Sequence, residues 1–121
     1  MKSESIQTDK RGRIISVKDD ELGCPEIVIF FTKDGFARGG CVHNLNDEYC
    51  SVISGKVEYV VGEELKIMWA GDSVKIPKGT PHYFVSLGDS VAIEWGATEE
   101  EKKVKHTEYR QIVDRINDTS N

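Results

Sequence analysis

The stretch Gly71-Asp72-Ser73-Val74-Lys75-Ile76-Pro77-Lys78-Gly79-Thr80-Pro81-His82 constrains the fold more than any other part of the chain. Glycine reaches positive φ without strain and proline fixes φ near a turn value, so the backbone reverses sharply at Pro77-Lys78-Gly79. Val74 and Ile76 precede the turn in one extended run, and His82-Tyr83-Phe84-Val85-Ser86 follows in another. An imidazole set just past such a corner has one flank fixed by rigid backbone. That placement suits a metal ligand or an acid/base group.

The rest of the chain repeats this rhythm. Arg13 to Lys18 is the first convincing strand, after polar residues 1–12 with a turn at Lys10-Arg11-Gly12. Glu26 to Thr32 is nearly all apolar, β-branched or aromatic, which predicts a strand buried on both faces. Lys33-Asp34-Gly35 then reads as a hairpin-type turn. Further strands are expected over 36–43, 48–54, 56–61, 65–69, 74–76, 82–87 and 90–95, with short Gly- and Asp-containing turns between them. Many short strands at regular spacing argue for an all-β sandwich or barrel. The charge run Thr98 to Lys103 reads as solvated. Beyond it Tyr109, Ile112, Val113 and Ile116 recur at i, i+3, i+4, i+7, the apolar face of a helix over about 107–117 with Thr107 as N-cap. Asp118 to Asn121 reads as a frayed tail.

At 121 residues the chain is read as one domain over 1–121, with the barrel over about 13–97. Sixteen Lys and Arg against 21 Asp and Glu give a net charge of −5 and no basic block, which argues against a nucleic-acid partner. No apolar run reaches membrane-spanning length, and the N-terminus lacks the apolar core of a signal peptide, so the expected location is cytoplasmic with no membrane partner. Cys24, Cys41 and Cys50 have no secreted-domain spacing, so a disulfide framework is not expected, and Cys24 before Pro25 reads as a loop residue.

Two segments together resemble the paired motifs of the cupin superfamily. The first motif runs Gly, five residues, His-x-His, three or four residues, Glu, six residues, Gly. Here His43 holds the second His position, four residues precede Glu48, and six separate Glu48 from Gly55; the first His is replaced by Cys41. The second motif runs Gly, five residues, Pro-x-Gly, two residues, His, three residues, Asn. Gly71, Pro77, Gly79 and His82 fit, and Ser86 replaces the Asn. The resemblance covers residues 38–86 and implies a cupin-type jelly-roll β-barrel, here with a C-terminal α-helix, and a homodimer, since small cupins commonly pair.

Alternation in strands puts Cys41 with His43, Glu48 with Cys50 and Val52, and His82 with Phe84 and Ser86. In a cupin barrel those faces look inward, and His43, Glu48 and His82 converge as ligands for a divalent ion such as Zn, Mn, Fe or Ni. The bland readings are structural or surface histidines, and a Glu48 paired with Arg38 or capping a turn. Cys41 is either a soft fourth ligand, a nucleophile, or a small buried residue. His106, outside the motifs, reads as surface.

Arg38-Gly39-Gly40 before the first motif is similar to the Arg-Gly segment of cupins acting on nucleotide-linked sugars. By that resemblance Arg38 would hold substrate oxygens while His43 and His82 move protons, with Tyr49, Tyr59 or Tyr83 as partner acids. Trp69, Trp95, Phe84 and Tyr59 can supply apolar walls to a pocket, although aromatics at strand positions are more often core. The leading expectation is a metal-binding isomerase or epimerase acting on a small carbohydrate-like substrate. The alternatives are a non-catalytic small-molecule-binding cupin and an Fe(II)-dependent dioxygenase.

Overall fold

The structure, a computed structural model, describes residues 2–97 and 104–120; the charge run at 98–103 lies outside them. In chain order the elements are β1 (Lys2–Asp9), β2 (Gly12–Asp19), β3 (Cys24–Thr32), β4 (Ala37–Val42), β5 (Glu48–Ser54) and β6 (Lys56–Val61). They continue with β7 (Glu64–Trp69), β8 (Ser73–Ile76), β9 (His82–Ser86), β10 (Ser90–Trp95), β11 (Val104–Lys105) and α1 (Thr107–Thr119). Two antiparallel sheets face each other: six strands in the order β1-β2-β3-β10-β5-β8, and five in the order β11-β4-β9-β6-β7. The double-sheet barrel with one C-terminal helix is the expected architecture.

Several local expectations are corrected. The polar N-terminal residues form β1, which pairs along its whole length with β2 from Lys2↔Asp19 to Asp9↔Gly12. Backbone pairing at a sheet edge needs no apolar side chains, which is why hydropathy hides this strand. Cys24 opens β3 rather than sitting in a loop. Lys33-Asp34-Gly35 does form a tight turn, closed by Phe36 N–H on Lys33 C=O at 3.2 Å. It is no hairpin, because β3 and β4 belong to different sheets. The same holds at Pro77-Lys78-Gly79, where β8 leaves one sheet and β9 enters the other. The helix continues past Asp118 to Thr119, and Ser120 Oγ donates to Gly35 C=O at 2.7 Å, so this end is tied down.

β3 is not buried on both faces. Glu26, Val28, Phe30 and Thr32 face the inside, while Ile27, Ile29 and Phe31 lie half-buried on the outside. The outside of the six-stranded sheet carries a row Ile6, Ile15, Ile29, Ile93 across four strands. A second row runs Val17, Ile27, Trp95, Tyr49. Inside, the barrel is divided. One half is packed by Cys50, Val52, Val57, Tyr59, Met68, Val74, Ile76, Phe84 and Ala92. The other half is a cavity of about 350 Å³.

Helix α1 lies on the outside of the five-stranded sheet with Val113 and Asn117 buried. Asn117 accepts from Ala37 N–H at 2.7 Å and donates to Ala37 C=O at 3.1 Å. β11 covers β4 only at Cys41 and Val42, so at Ala37 this side-chain amide stands where a neighbouring strand's peptide would otherwise be. The N-cap is His106, not Thr107: its Nδ1 accepts from Tyr109 N–H at 3.3 Å. His106 is therefore a helix-start residue rather than an idle surface one.

Candidate metal centre

The two motif segments are bound to each other through backbone. Gly79, at φ +81°, donates its N–H to His43 C=O at 2.7 Å, and Lys78 N–H donates to Asp47 Oδ1 at 2.8 Å. The corner that starts β9 is thus clamped to the loop that follows β4. Thr80 C=O accepts from His82 Nδ1 at 3.0 Å, which orients the ring and leaves Nε2 to face inward. In β5, Glu48, Cys50 and Val52 are buried and the residues between them are not. In β9, His82, Phe84 and Ser86 are buried in the same alternation.

These placements bring the expected residues together. Glu48 bridges the two imidazoles, with Oε2 3.1 Å from His43 Nε2 and Oε1 3.1 Å from His82 Nε2. The imidazole rings stack with centroids 5.8 Å apart. Cys41 joins them: its sulfur and a nitrogen of each histidine all lie within 4.8 Å of one another. Its short side chain reaches because Cys41 pairs directly with His82 in the β4–β9 ladder. The Cys41 sulfur and then Glu48 raise His43 to about 9, against burial. Burial opposes the charged form of His82, yet Cys41 and Glu48 raise it to about 10. Burial likewise opposes ionisation of Glu48, and the two imidazoles outweigh it and hold the carboxyl well below its usual range.

A β-bulge decides what else points inward. The ladder pairs Arg38 with Phe84 and Gly39 with Tyr83, then skips to pair Cys41 with His82. The extra residue turns the strand by one step, so Arg38 and Cys41 share the inner face although three positions apart. Both glycines are needed. Gly39 has φ +110°, and a Cβ there would meet His82 C=O at 2.9 Å; Gly40 has φ +87°, and a Cβ there would meet Arg110 Cα at 2.9 Å.

Arg38 does not pair with Glu48. Its Nε donates to Thr32 Oγ1 and its Nη2 to Phe31 C=O, each at 3.2 Å, and it lies 5.8 Å from the Phe30 ring centre. Of the three tyrosines expected as acids only Tyr59 lines the cavity. Tyr49 stacks on Trp95 on the outside, and Tyr83 lies edge-on to Tyr109 of the helix. Trp69 is also outside, 58% exposed, with Lys56 over its ring. Phe84, Tyr59 and Phe30 supply the aromatic wall.

One wall group escaped the sequence reading. Glu94 lines the cavity and accepts from Tyr59 OH at 3.0 Å. Burial first and neighbouring Glu48 second hold its carboxyl above the usual range. The face of β10 that looks inward is Ser90, Ala92 and Glu94, while Val91, Ile93 and Trp95 look out. Hydropathy would have chosen the opposite face. The usable signal is that the neighbouring strand's inward face also carries a carboxylate, Glu48.

The donor set fits a divalent ion. Two donors each about 2.1 Å from one ion at a right angle lie about 3 Å apart, and the two Nε2–carboxylate separations are 3.1 Å. His43 Nδ1 is buried without a hydrogen-bond partner among the described residues.

The chain is thus a double-sheet barrel whose open half carries a histidine–carboxylate cluster with a cysteine, a group that could hold a metal ion. The sequence profile of the cupin domain matches residues 39–97, and the fold is that of a cupin-type jelly roll. Its fold is similar to the capsular polysaccharide assembling protein CapF from Staphylococcus aureus, at TM-score 0.68 and 22% identity over 85% of this chain and 32% of that one. KdgF from Halomonas sp. is similar at TM-score 0.66 and 20% identity, over 81% of this chain and 89% of that one. Oxalate decarboxylase from Bacillus subtilis is similar at TM-score 0.71 and 19% identity, over 89% and 31%, and that enzyme has Mn(II) centres. The chain therefore spans about a third of CapF and of oxalate decarboxylase. Comparison with curated proteins gives no match. No helix among the described residues is long and apolar enough to cross a membrane.

Proposed function

We propose that the chain is a metal-dependent enzyme of the isomerase or epimerase type, acting on a small carbohydrate-like substrate. The observation that carries this reading is the Glu48 carboxylate bridging His43 and His82 beside Cys41 at the wall of the 350 Å³ cavity. His43, Glu48 and His82 would hold the ion, with Cys41 as a fourth donor. Bound there, a divalent ion polarises a substrate carbonyl as a Lewis acid. Arg38 positions substrate oxygens from the neighbouring inward position of β4. Glu94, hydrogen-bonded to Tyr59, stands on the same wall as the group that takes a proton from the carbon beside the carbonyl and returns it. The proton count is unchanged over the cycle, as isomerisation requires. The carbohydrate assignment draws its support from the sugar-linked name of CapF and from the hydrogen-bonding side chains Ser5, Gln7 and Ser16 among the apolar groups of the cavity wall.

The test is metal content of protein purified without chelator, for wild type, His82→Ala and Cys41→Ala, followed by NMR of small keto sugars in deuterated solvent. The expected result is about one ion per chain in the wild type, loss in His82→Ala, and solvent deuterium entering the carbon next to the carbonyl. Full occupancy in His82→Ala overturns the site. Loss of metal in Cys41→Ala makes the thiolate a ligand. Bound iron with oxygen uptake would replace isomerisation by oxygenase chemistry. Tight sugar binding without exchange would leave a binding protein.

The same reading includes a cytoplasmic homodimer. Its support is the Ile6, Ile15, Ile29, Ile93 row, where Ile6 is 64% exposed, on a sheet face that no other layer covers among the described residues. Light scattering giving twice the chain mass, reduced to one chain by Ile29→Lys, is the expected outcome; a monomeric wild type would refute it.

A further inference from the structure

Arg38 is a buried cation to which no carboxylate is bonded among the described residues. It is 3% exposed, and its hydrogen bonds go to a threonine hydroxyl and a backbone carbonyl, both neutral. Of the three other cations lining this cavity, Arg11 pairs with Asp9 at 2.6 Å, Arg110 pairs with Asp114 at 3.3 Å, and Lys105 is exposed at the rim. Asp9 is the carboxylate that acts on Arg38 electrostatically, and Arg11 already grips both of its oxygens. Burial and then Arg11 lower the Arg38 pKa to about 10, which leaves the group charged at neutral pH. A buried guanidinium without a bonded carboxylate is unfavourable for the fold. A neutral side chain would serve packing better, so the charge is best explained by something that arrives with the opposite sign.

The cavity says where that something lies. Arg38 and Cys41 stand opposite Phe84 and His82, alternate residues of β9 and therefore about 7 Å apart along the strand. Glu26, Glu48 and Glu94 line the wall contributed by the other sheet, and Arg38 on the facing sheet is the group that offers an anion a planar donor fork. A volume of about 350 Å³ sits at the low end of the roughly 300–1,000 Å³ of ligand pockets. It admits a monosaccharide-sized molecule.

We infer that the cavity takes a small hydroxy or keto acid, its carboxylate gripped by Arg38 and its other oxygens directed at the His43–Glu48–His82 cluster. The second half of this statement rests on the metal reading above; the first half stands without it. A sugar phosphate presents a similar oxyanion, and the test separates the two.

The test is calorimetric titration of wild type, as purified and after chelator treatment, with size-matched pairs: D-glucuronate and D-glucose, D-gluconate and sorbitol, D-glycerate and glycerol. D-glucose 6-phosphate and inorganic phosphate form a separate arm, and metal content is measured on the same samples. At least one acid is expected to bind about tenfold or more tightly than its neutral partner, and phosphate compounds more weakly than that acid. Arg38→Met is expected to lose this preference while melting no lower than wild type without ligand, since it removes a buried charge without a bonded carboxylate. Arg38→Lys, which keeps the charge but not the planar fork, should retain part of it. Equal binding within all three pairs overturns the inference, as does an Arg38→Met protein that is destabilised yet keeps the acid preference. Preference for the phosphates overturns the carboxylate assignment. One ion per chain without acid preference leaves the metal reading standing alone, and acid preference in a metal-free protein does the reverse.

Discussion

Replacing Asn117 by Leu removes both partners of the Ala37 peptide at once. Ala37 is fully buried and Asn117 is 8% exposed, so water cannot take over either hydrogen bond without opening the helix–sheet contact. An orphaned buried donor or acceptor costs about 1–3 kcal/mol. Two of them, partly offset by the extra apolar surface of leucine, give a loss of about 2–5 kcal/mol. At roughly 4 °C per kcal/mol for a domain of this size, the melting temperature should fall by about 8–20 °C. Ser120→Ala provides the scale, since it deletes a half-buried bond to Gly35 C=O and should cost about 1 kcal/mol. Thermal unfolding supplies the magnitude, and hydrogen exchange at the Ala37 amide supplies the location. An Asn117→Leu protein melting within about 3 °C of wild type, with Ala37 still protected, would refute the reasoning.

Gly40→Ala should lower stability by about 2–4 kcal/mol through positive φ and the collision with Arg110. Gly79→Ala, at φ +81° but in open space, should lose only the conformational part, about 1–2 kcal/mol; equal losses in chemical denaturation would remove the collision from the account. In native protein an alkylating reagent should modify half-buried Cys41 well before Cys50, which is fully buried and whose thiol pKa burial pushes far up. Peptide mass spectrometry reads this directly, and Cys50 reacting first would contradict it. Ser86→Ala removes a buried hydroxyl bonded to Gly88 C=O, Ser90 Oγ and Thr32 C=O, and a melting-temperature loss equivalent to about 1–2 kcal/mol is expected; an unchanged melting temperature would show that hub to be dispensable.

How much of this could be read in advance differs from element to element. His43, Glu48 and His82 were legible as a set through the resemblance to the two cupin motifs, whose spacing Gly55, Gly71, Pro77 and Gly79 also fit. The strands of the barrel interior were legible from the short Gly- and Asp-containing turns between them. β1 was not, because Lys2 to Asp9 offers no hydrophobic alternation, and an edge strand is held by its peptide bonds. Glu94 was hidden by a different physics. A hollow barrel lines its lumen with polar groups, so Val91, Ile93 and Trp95 imitate a core face while turning outward. Ile27, Ile29 and Phe31 mislead in the same way. Arg38 could be flagged as a residue but not aimed, since its direction depends on a bulge that sequence spacing does not announce. The sequence weighed Cys41 as packing, ligand or nucleophile; only its ladder partner, His82, brings the sulfur to the cluster.

That bulge has a bearing on how such a pocket can change. Gly39 and Gly40 work as a phase shifter between two lengths of strand that read the same lumen. Deleting one of them removes the odd residue, so Arg38 and Cys41 become alternate residues of a regular strand and still face the lumen together. What would put the two lengths out of step is loss of the bulge at unchanged length: with every residue forced into the ladder and Cys41 and His43 facing inward, Arg38 would be presented to the opposite face. The lumen would then keep its ligand cluster and its carboxylates and lose the Arg38 guanidinium. A substitution at either glycine that straightens the strand would therefore reset the charge the cavity offers its ligand, with every charged side chain of the pocket still in the sequence.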